Sequence, residues 1–302
     1  MKQAIIDIGS NSIRLTVYET TDSSFKSLFR AKIMAGLAGY ATDGTLSAEG
    51  IDCACRSLLE FKDTLQSLAI ENVRAFATAS LRNVSNTEEA VAAIKEATGF
   101  TVEILSGEEE ALLGYYGAMR ELDITDGSYI DIGGASTEVV SFKDHQPQEA
   151  FSCAIGSLNL YRRCVKKILP SAEAIEFINQ EIETEIHRVH PADFPKRSPL
   201  VCAGGTARGI AKMARKQYDL PQDCMTVTAE QIEGLYDILV KRDRTALNLI
   251  LRVVPDRTHT IIPGILIMRQ MLKLFKADNI VVTNFGVKEG YLYKNILTPD
   301  EN

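Results

Sequence analysis

Two short segments of the chain combine an aspartate with glycine and hydroxyl residues, a combination suited to holding phosphate and a divalent metal. They are Asp7-Ile8-Gly9-Ser10-Asn11-Ser12 and Asp131-Ile132-Gly133-Gly134-Ala135-Ser136. Glycine lets main-chain N–H groups approach an anion closely, and the serine hydroxyls add further donors. An aspartate at a strand end can hold Mg²⁺, which in turn bridges phosphate oxygens. We therefore predict two phosphate-binding loops, with Asp7 and Asp131 as ligands of Mg²⁺ or another divalent cation.

The two segments are near copies of each other. Counted from Ile6 and Ile130, five of seven positions are identical. Each segment follows a short apolar strand and leads into another, Ile13 to Tyr18 after the first and Thr137 to Phe142 after the second. Both are therefore predicted to be β-hairpins with a polar turn. Two such hairpins one domain length apart predict two related α/β domains that face each other.

Two more glycine turns and a row of basic residues favour anion binding in the second half of the chain. The turns are Ala203-Gly204-Gly205-Thr206 and Asn284-Phe285-Gly286, and each follows a predicted strand. The helix after the first turn carries Arg208, Lys212, Arg215 and Lys216, of which three share one face. Arg162-Arg163 with Lys166-Lys167 form a second basic cluster. Each cluster alone is more often a solvated helix face, but together they would provide a track for a long phosphate chain.

A carboxylate and an arginine that could act on a phosphate group lie in the first half. Glu108, Glu109 and Glu110 open a predicted helix, where negative charge also suits the helix dipole. The triplet follows a strand and turn that could direct it into a cleft, where one carboxylate could activate water as a general base. Arg82 lies in a predicted polar loop after a buried strand. A guanidinium there could clamp phosphate, with a surface ion pair as the alternative.

The elements that must position these residues alternate as in an α/β protein. The predicted strands besides the hairpins are Val73 to Ala77, Val102 to Leu105, Leu200 to Ala203 and Ile280 to Thr283. The predicted helices are Ser47 to Ser67 with Ser47 as N-cap, Asn86 to Thr98, Gly107 to Leu122, Ala172 to His190, Thr206 to Gln217, Ala229 to Lys241, Ile261 to Leu274 and Val287 to Ile296.

Composition narrows the functional class. The chain of 302 residues has a net charge of −7, which argues against a nonspecific nucleic-acid-binding protein. Its six cysteines and four histidines show no metal-site spacing. We find no apolar run long enough for a membrane span and no signal peptide, so we expect a cytoplasmic protein without a membrane partner.

The motifs resemble those of the exopolyphosphatase/guanosine pentaphosphatase (Ppx/GppA) family along essentially the whole chain. The resemblance rests on Asp7 to Ser12, Thr78 to Arg82, Ile104 to Ala111, Asp131 to Glu138, Ala203 to Thr206, Asp256-Arg257 with Ile262 to Gly264, and Gly286 to Tyr293. It implies the actin-like α/β fold shared with sugar kinases and heat-shock chaperone ATPases, with a ligand cleft between two ribonuclease H-like domains. We expect domain I at 1–120, with the C-terminal helix 287–302 packed back on it, and domain II at 121–286.

The same resemblance implies roles for individual residues. Glu110 matches the catalytic carboxylate, and Arg82 matches a phosphate-contacting arginine. Glu138, like Asp131, matches an acidic position tied to metal and water activation. Gly204, Gly205 and Thr206 match the third glycine turn, and we add Arg208 as a phosphate ligand. The implied activity is Mg²⁺-dependent release of terminal phosphate from polyphosphate or guanosine pentaphosphate by a homodimer.

Two departures from the family pattern keep alternatives open. Ala135 stands where the family usually has a third glycine, and the chain stops before the extra C-terminal region of longer members. These departures motivate a second hypothesis, a non-hydrolysing protein that binds or senses guanosine penta/tetraphosphate or polyphosphate. An ATP-dependent kinase of the same fold is a third. The sequence does not separate polyphosphate from guanosine pentaphosphate as substrate.

Overall fold

The computed structural model describes residues 1–22, 24–190 and 196–298, and it divides into two compact units. Unit 1 comprises Met1–Glu110 with the C-terminal segment that begins at Tyr291, and unit 2 comprises Ala111–Gly290. The division thus falls inside two helices, whereas the sequence analysis placed the boundaries after residues 120 and 286. Residues 299–302 of the predicted C-terminal helix lie outside the described residues.

Unit 1 is built on a mixed β-sheet covered by helices. Its strands are β1 Lys2–Ile8, β2 Ile13–Thr20, β3 Phe25–Ile33, β4 Ala41–Thr42, β5 Thr45–Leu46, β6 Val73–Ala77 and β7 Val102–Ile104. Its helices are α1 Ala48–Ser67, α2 Ala79–Arg82, α3 Thr87–Thr98 and the first turn of α4 Gly107–Ala118. A short 3₁₀ helix covers Leu37–Tyr40.

The order of the five-stranded sheet is β3-β2-β1-β6-β7. Strands β3, β2 and β1 form an antiparallel meander, and β1, β6 and β7 run parallel. Alternation along β1 turns Ala4, Ile6 and Ile8 towards the main core of the unit, which includes Leu58 of α1. Asp7 therefore lies on the opposite face of the sheet.

The C-terminal segment packs onto unit 1. The ring of Tyr291 lies 5.0 Å from that of Phe76 in β6, and its hydroxyl donates to Glu103 Oε2 in β7 at 2.5 Å. Burial and the bond to Glu103 raise the pKa of Tyr291 to about 12. The end of the described chain is thereby joined to two strands of the first sheet.

Unit 2 repeats the same plan on a larger scale. Its strands are β8 Gly127–Ile132, β9 Thr137–Lys143, β10 Gln146–Cys153, β11 Leu200–Ala203, β12 Thr226–Thr228 and β13 Asn279–Val282. Its helices are the rest of α4, then α5 Ser157–Cys164, α6 Ala172–Val189, α7 Gly204–Gln217, α8 Ala229–Leu239, α9 Arg244–Val253, α10 Ile261–Leu274 and most of α11 Val287–Leu292.

The order of its six-stranded sheet is β10-β9-β8-β11-β13-β12. An antiparallel meander again leads into parallel strands, here β8, β11 and β13, with β12 added antiparallel at the edge. Each predicted hairpin therefore joins the first two strands of its own sheet. The predicted pair of related α/β units, each with the strand order of a ribonuclease H-like domain, is confirmed.

The two faces of the unit 2 sheet carry separate cores. Ile130 and Ile132 of β8 pack with helices α5 to α10 on one face. Tyr129 and Phe142 pack with Tyr115 of α4 on the other. Because side chains alternate along a strand, Asp131 shares the α4 face with Tyr129. The Asp of each hairpin thus points away from the larger helical core of its unit.

Most predicted helices are present, with small shifts at their ends. Ser47 caps α1 as predicted, because its hydroxyl accepts from the Gly50 N–H at 3.2 Å. Helix α4 ends at Ala118 rather than Leu122. The prediction of a loop around Arg82 was wrong, because Ala79–Arg82 forms the one-turn helix α2. No helix among residues 1–22, 24–190 and 196–298 combines the length and the apolar character that crossing a bilayer requires.

Candidate active site

In unit 1 the predicted catalytic residues lie at one edge of the sheet. Strands β1, β6 and β7 are parallel and in register at Ile8, Ala77 and Ile104. Their carboxyl ends therefore lie side by side, and the loops that follow them leave from the same edge. The segments that begin there include the first hairpin turn, Arg82 at the end of α2 and Glu110 in the first turn of α4. The fold thus brings these residues together.

The first hairpin turn is held from several sides. The Gly9 N–H donates to the Ser12 carbonyl at 3.2 Å and closes the turn. The Ser10 carbonyl accepts from the Ala38 N–H, and the Asn11 carbonyl accepts from the Gly36 N–H. Ser10 and Ser12 are buried, and Asn11 is half-buried. Because its carbonyl groups are bonded within the unit, the loop has a defined conformation before any ligand binds.

A buried ion pair joins the two residues expected to act on phosphate. Arg82 Nη1 donates to Glu110 Oε2 at 2.6 Å and to the Leu105 carbonyl at 3.1 Å. The exposed fractions of the two side chains are 16% and 10%. The structure therefore places Arg82 beside the predicted base, where it fixes the orientation of the Glu110 carboxylate. A charge-assisted bond of this length is stronger than one between neutral groups.

The three consecutive glutamates differ in burial and in hydrogen bonding. Glu108 and Glu109 are exposed, whereas Glu110 is buried. Glu109 and Ser106 exchange hydrogen bonds, with Ser106 N–H donating to Glu109 Oε2 at 2.7 Å and Glu109 N–H donating to Ser106 Oγ at 3.1 Å. This reciprocal pair is a capping box at the start of α4. Glu109 thus serves the helix, and Glu110 is the member of the triplet with a protected carboxylate.

Asp7 faces a positive charge across its hairpin. Arg14 lies directly opposite in the β1–β2 register, and its Nη1 is 3.5 Å from Asp7 Oδ2. The Arg14 Nε also donates to Ser12 Oγ at 3.1 Å. Arg14 was not among the predicted site residues. It stands seven residues after Asp7, as Glu138 does after Asp131, so a comparison of the two repeats could have found it.

The equivalent position in unit 2 carries a second carboxylate. Asp131 and Glu138 are directly opposite in the β8–β9 register, so both side chains lie on one face. Glu138 is only 2% exposed, and its Oε1 accepts from Ser152 Oγ at 2.9 Å. Two like charges placed opposite each other destabilise a sheet unless a cation or proton compensates them. The two hairpins therefore have the same strand register at these positions but differ in charge.

The second hairpin turn is braced by α5. The Gly133 carbonyl accepts from the Ser157 N–H, the Gly134 carbonyl accepts from the Leu158 N–H, and the Ala135 carbonyl accepts from Asn159 Nδ2, at 2.9 to 3.0 Å. Ser136 is buried. Ala135 does not have a positive φ, so its methyl group causes no backbone strain where the family has glycine.

The third glycine turn lies against Asp131 of the acidic pair. Gly204 has φ of +79°, and a Cβ built on it would lie 2.1 Å from Asp131 Oδ1. A side chain at Gly205 would lie 1.8 Å from Arg257 Nη2. Glycine is therefore favoured at Gly204 by its positive φ, whereas a side chain at Gly205 would displace the flexible Arg257 guanidinium. Thr206 is buried, with its methyl group towards Gly264 of α10.

Arg257 is a second residue that the sequence analysis left out of the site. It appeared there only as part of the Asp256-Arg257 motif. Its guanidinium lies against Gly205 at the start of α7 and brings a positive charge to this edge. Burial lowers the pKa of His259, and the charge of Arg257 adds to that effect. On the acidic side, burial and then the nearby Asp131 carboxylate raise the pKa of Cys202.

The fourth turn is bound by a carboxylate of the chain itself. Glu121 accepts from Thr283 Oγ1 and the Asn284 N–H, both at 2.6 Å, and from Asn284 Nδ2 at 2.9 Å. Burial alone would raise the pKa of Glu121, but these hydrogen bonds outweigh it and the pKa is lowered. Arg208 donates to the Thr283 carbonyl at 3.4 Å, beside this turn. We therefore do not count the fourth turn among the phosphate loops.

The acidic residues of unit 2 fit the divalent cation that the sequence predicts. Mg²⁺ typically binds one or two carboxylates and completes its shell with water and phosphate oxygens. Asp131 and Glu138 provide such a pair, opposite each other in the β8–β9 register. Asp7 fits less well, because Arg14 already neutralises it. Within the described residues, no cluster of three or more His, Cys, Asp or Glu side chains is arranged to hold a metal by itself.

Comparison with known proteins places the chain among phosphatases. It matches the model of the Ppx/GppA phosphatase family over residues 16–298. It is 24% identical over 314 residues to exopolyphosphatase 1 of Mycobacterium tuberculosis strain ATCC 25618 / H37Rv, covering 98% of this chain and 88% of that protein.

Solved structures show the same fold. The Aquifex aeolicus member of the Ppx/GppA family superposes with a TM-score of 0.80 at 27% identity, covering 100% of this chain and 99% of that one. An exopolyphosphatase from Cytophaga hutchinsonii superposes with a TM-score of 0.84 at 22% identity, covering 98% of each chain. The predicted actin-like α/β fold is confirmed.

Proposed function

Because the chain belongs to the Ppx/GppA phosphatase family, we propose that it releases terminal orthophosphate from inorganic polyphosphate. A relative that is similar along nearly the whole chain is named an exopolyphosphatase, which favours polyphosphate as the first substrate to test. Guanosine pentaphosphate presents the same terminal phosphoanhydride and is the second.

The observation that carries the proposal is the buried Glu110 carboxylate with Arg82 bonded to it. In the proposed reaction Glu110 accepts a proton from a water molecule as the water oxygen attacks the terminal phosphorus. The anhydride P–O bond breaks, and its electron pair leaves with the shortened phosphate chain. Arg82 holds the carboxylate in place and adds positive charge near the transferred group. Phosphoryl transfer depends mainly on such positioning and electrostatic stabilisation.

The glycine turns supply the proposed phosphate contacts. The first comprises Gly9, Ser10, Asn11 and Ser12, the second Gly133, Gly134 and Ser136, and the third Gly204 and Gly205 at the start of α7, whose N-terminus favours anions. Arg257 adds positive charge at the third turn, and Arg208, one helical turn further along α7, donates to the Thr283 carbonyl. The role of Thr206 stays a prediction.

We propose that activity requires Mg²⁺, held by Asp131 with Glu138 in unit 2. When bound, the metal would neutralise phosphate charge. A role for Asp7 in the same task stays a prediction. We also propose a homodimer in the cytoplasm, which light scattering and cell fractionation would test.

Neighbouring glutamates provide the decisive experiment. Glu110→Gln should lower phosphate release about 10²–10⁴-fold, the usual contribution of a general base. Glu109→Gln is the matched control, because glutamine can also serve in a capping box and should leave the rate near wild type. Both variants should be assayed with Mg²⁺ on short polyphosphate, long polyphosphate and guanosine pentaphosphate. An unchanged rate in Glu110→Gln would remove Glu110 as the base.

The same assay distinguishes the other hypotheses. Tight binding of polyphosphate or guanosine tetraphosphate, with no phosphate released over hours, would identify a binding protein. The ordinary backbone at Ala135 weakens the case for that outcome. A phosphorylated acceptor in place of free phosphate would identify a kinase.

A further inference from the structure

A cavity of about 470 Å³ lies beside the C-terminal half of α7 and includes none of the residues of the candidate active site. Its wall contains four basic side chains, Lys212, Arg215 and Lys216 of α7 and Arg252 from the last turn of α9, with Asp219 as its acidic member. We call it the α7 cavity. All of these residues belong to unit 2.

The positive charge of the α7 cavity exceeds what the fold needs. Helices α7 and α9 both end here, and each helix C-terminus carries roughly −0.5 of a charge. Against four cations and one carboxylate, these two termini leave an excess of about two positive charges. Arg215 donates to the Cys224 carbonyl at 2.8 Å and has a structural role. Lys212 and Lys216 are exposed, and within the described part of the chain neither has an ion-pair partner.

The lining favours an inorganic phosphate chain over a nucleotide. The eight residues of the wall include no aromatic ring on which a base could stack. Leu220 and Val253 are its apolar members. Four of the five charged residues of the wall are cationic, as the binding of a repeating polyanion requires.

Helix α7 connects the cavity with the candidate active site. Gly204, beside Asp131, begins the helix, and Arg208, Lys212 and Lys216 follow at intervals of four residues. Residues at this spacing form a row along one side of a helix. At about 1.5 Å per residue, Lys212 and Lys216 lie about 12 and 18 Å along the axis from Gly204. A phosphate chain whose end lies at Gly204 reaches the cavity only if it is long.

We propose that the α7 cavity binds the distal phosphates of a polyphosphate chain and so gives the protein a preference for long substrates. This inference rests on the proposed function, because it extends the same substrate beyond the reacting phosphate. The distal phosphates are unchanged by the reaction, so we expect contacts to them to be equally strong in the ground state and in the transition state, which is uniform binding. Such contacts therefore lower KM for long chains and leave kcat unchanged.

The test is the double variant Lys212→Gln/Lys216→Gln, assayed by phosphate release from tripolyphosphate and from long polyphosphate. We expect KM for the long chain to rise roughly fivefold to tenfold, as for the loss of two exposed charge contacts, with kcat and the KM for tripolyphosphate unchanged. The slope of log KM against log salt concentration should fall by about one to two for the long chain.

Lys143→Gln/Lys273→Gln is the matched control, because it removes the same charge from exposed positions of unit 2 outside the cavity and outside both basic clusters. An equal rise of KM in this control, or an equal rise for both chain lengths, would overturn the proposal. Competition by a single-stranded oligonucleotide as strong as by polyphosphate would overturn it as well, by showing a general nucleic-acid surface.

Direct binding separates this inference from the proposed function. Long polyphosphate is titrated into each protein in EDTA without added metal. If no substrate releases phosphate but the Lys212/Lys216 variant binds long polyphosphate more weakly than the control, the hydrolase proposal fails and the cavity stands. If phosphate is released and both variants bind long polyphosphate as the wild type does, the cavity proposal fails alone.

Discussion

The acidic pair on the second hairpin predicts an unusual response to Glu138→Gln. Glutamine has the shape of glutamate and keeps an oxygen that can accept from Ser152, but it removes one of the two charges facing each other across β8 and β9. In the absence of metal we therefore expect the variant to be more stable than the wild type. Loss of a buried charged residue ordinarily has the opposite effect.

The size of the gain follows from the register. Directly opposed residues have Cβ atoms about 4.5–5.5 Å apart. Two unit charges about 5 Å apart repel by about 3 kcal/mol at an effective dielectric constant of about 20, and by about 1 kcal/mol in water. Glu138 is only 2% exposed whereas Asp131 is half-buried, so the repulsion should lie between these two values. We expect the free energy of unfolding to rise by about 1–3 kcal/mol, or the Tm by about 2–10 °C.

The assay is thermal or urea unfolding in EDTA and again with Mg²⁺. Metal that binds the native protein at about 100 times its Kd stabilises it by about 2.7 kcal/mol. The wild type should show this increase, and Glu138→Gln should show much less of it. Metal therefore reverses the order of stability or removes the difference.

The first hairpin provides the control with the opposite sign. Asp7 faces Arg14 at 3.5 Å, and the side chains are 12% and 36% exposed. Asp7→Asn should therefore destabilise the protein in EDTA by about 0.5–1 kcal/mol, the value of a partly exposed pair. If Glu138→Gln is less stable than the wild type in EDTA and responds to Mg²⁺ as the wild type does, the charge argument is refuted.

Three further predictions concern single positions. Gly290→Ala would place a Cβ 1.8 Å from the Leu113 carbonyl oxygen, so we expect the free energy of unfolding, measured by urea denaturation, to fall by about 3 kcal/mol or more. A decrease of less than about 1 kcal/mol would contradict this. The fold lowers the pKa of Glu121 below its ordinary value of 4.5, so the ionised carboxylate stabilises the protein at pH values above 4.5. This stabilisation is lost as the pH falls through the lower pKa of the folded state. Melting curves below pH 4.5 should therefore decline less steeply in Glu121→Gln than in the wild type, and parallel curves would count against the assignment. Gly205→Ala should displace the Arg257 guanidinium and lower phosphate release about tenfold to a hundredfold with little change in Tm, whereas full activity would exclude Arg257 from the site.

The hairpins were predictable because their signals are local. An apolar strand, an Asp-containing glycine turn and a second apolar strand lie within about a dozen residues at both Asp7 and Asp131. The pairing of β1 with β2 and of β8 with β9 follows directly from that pattern. The helix that Ser47 caps was predictable for the same reason.

Helix α2 was not predictable from its own residues. A single turn is too short to be stable alone, and tertiary contacts hold this one. Ser80 Oγ donates to the Ile8 carbonyl, and Arg82 donates to the Leu105 carbonyl and to Glu110. These partners are distant in sequence, so the local pattern indicated only a polar loop.

The candidate site was predictable by residue type but not by pairing. Glu108, Glu109 and Glu110 are chemically identical, so residue type alone does not single out Glu110; the family resemblance selected it, and in the structure it is the buried member. Likewise, the repeat shows that Arg14 and Glu138 are equivalent, but the consequence of their opposite charges appears only when each is opposite an aspartate across its hairpin. The strand register decides which charged side chains are opposite each other in a sheet.

Glu121 shows how one of several similar glycine turns can serve the fold and not a ligand. Its carboxylate accepts the hydrogen bonds of Thr283 and Asn284. It thus takes the place of the anion that such a turn would otherwise bind. A protein engineer who shortened that side chain would expose a new receptor for sulfate or phosphate without building a loop. The same substitution would detach the C-terminal end of β13 from the segment after α4, so gaining the receptor would weaken the scaffold that carries it.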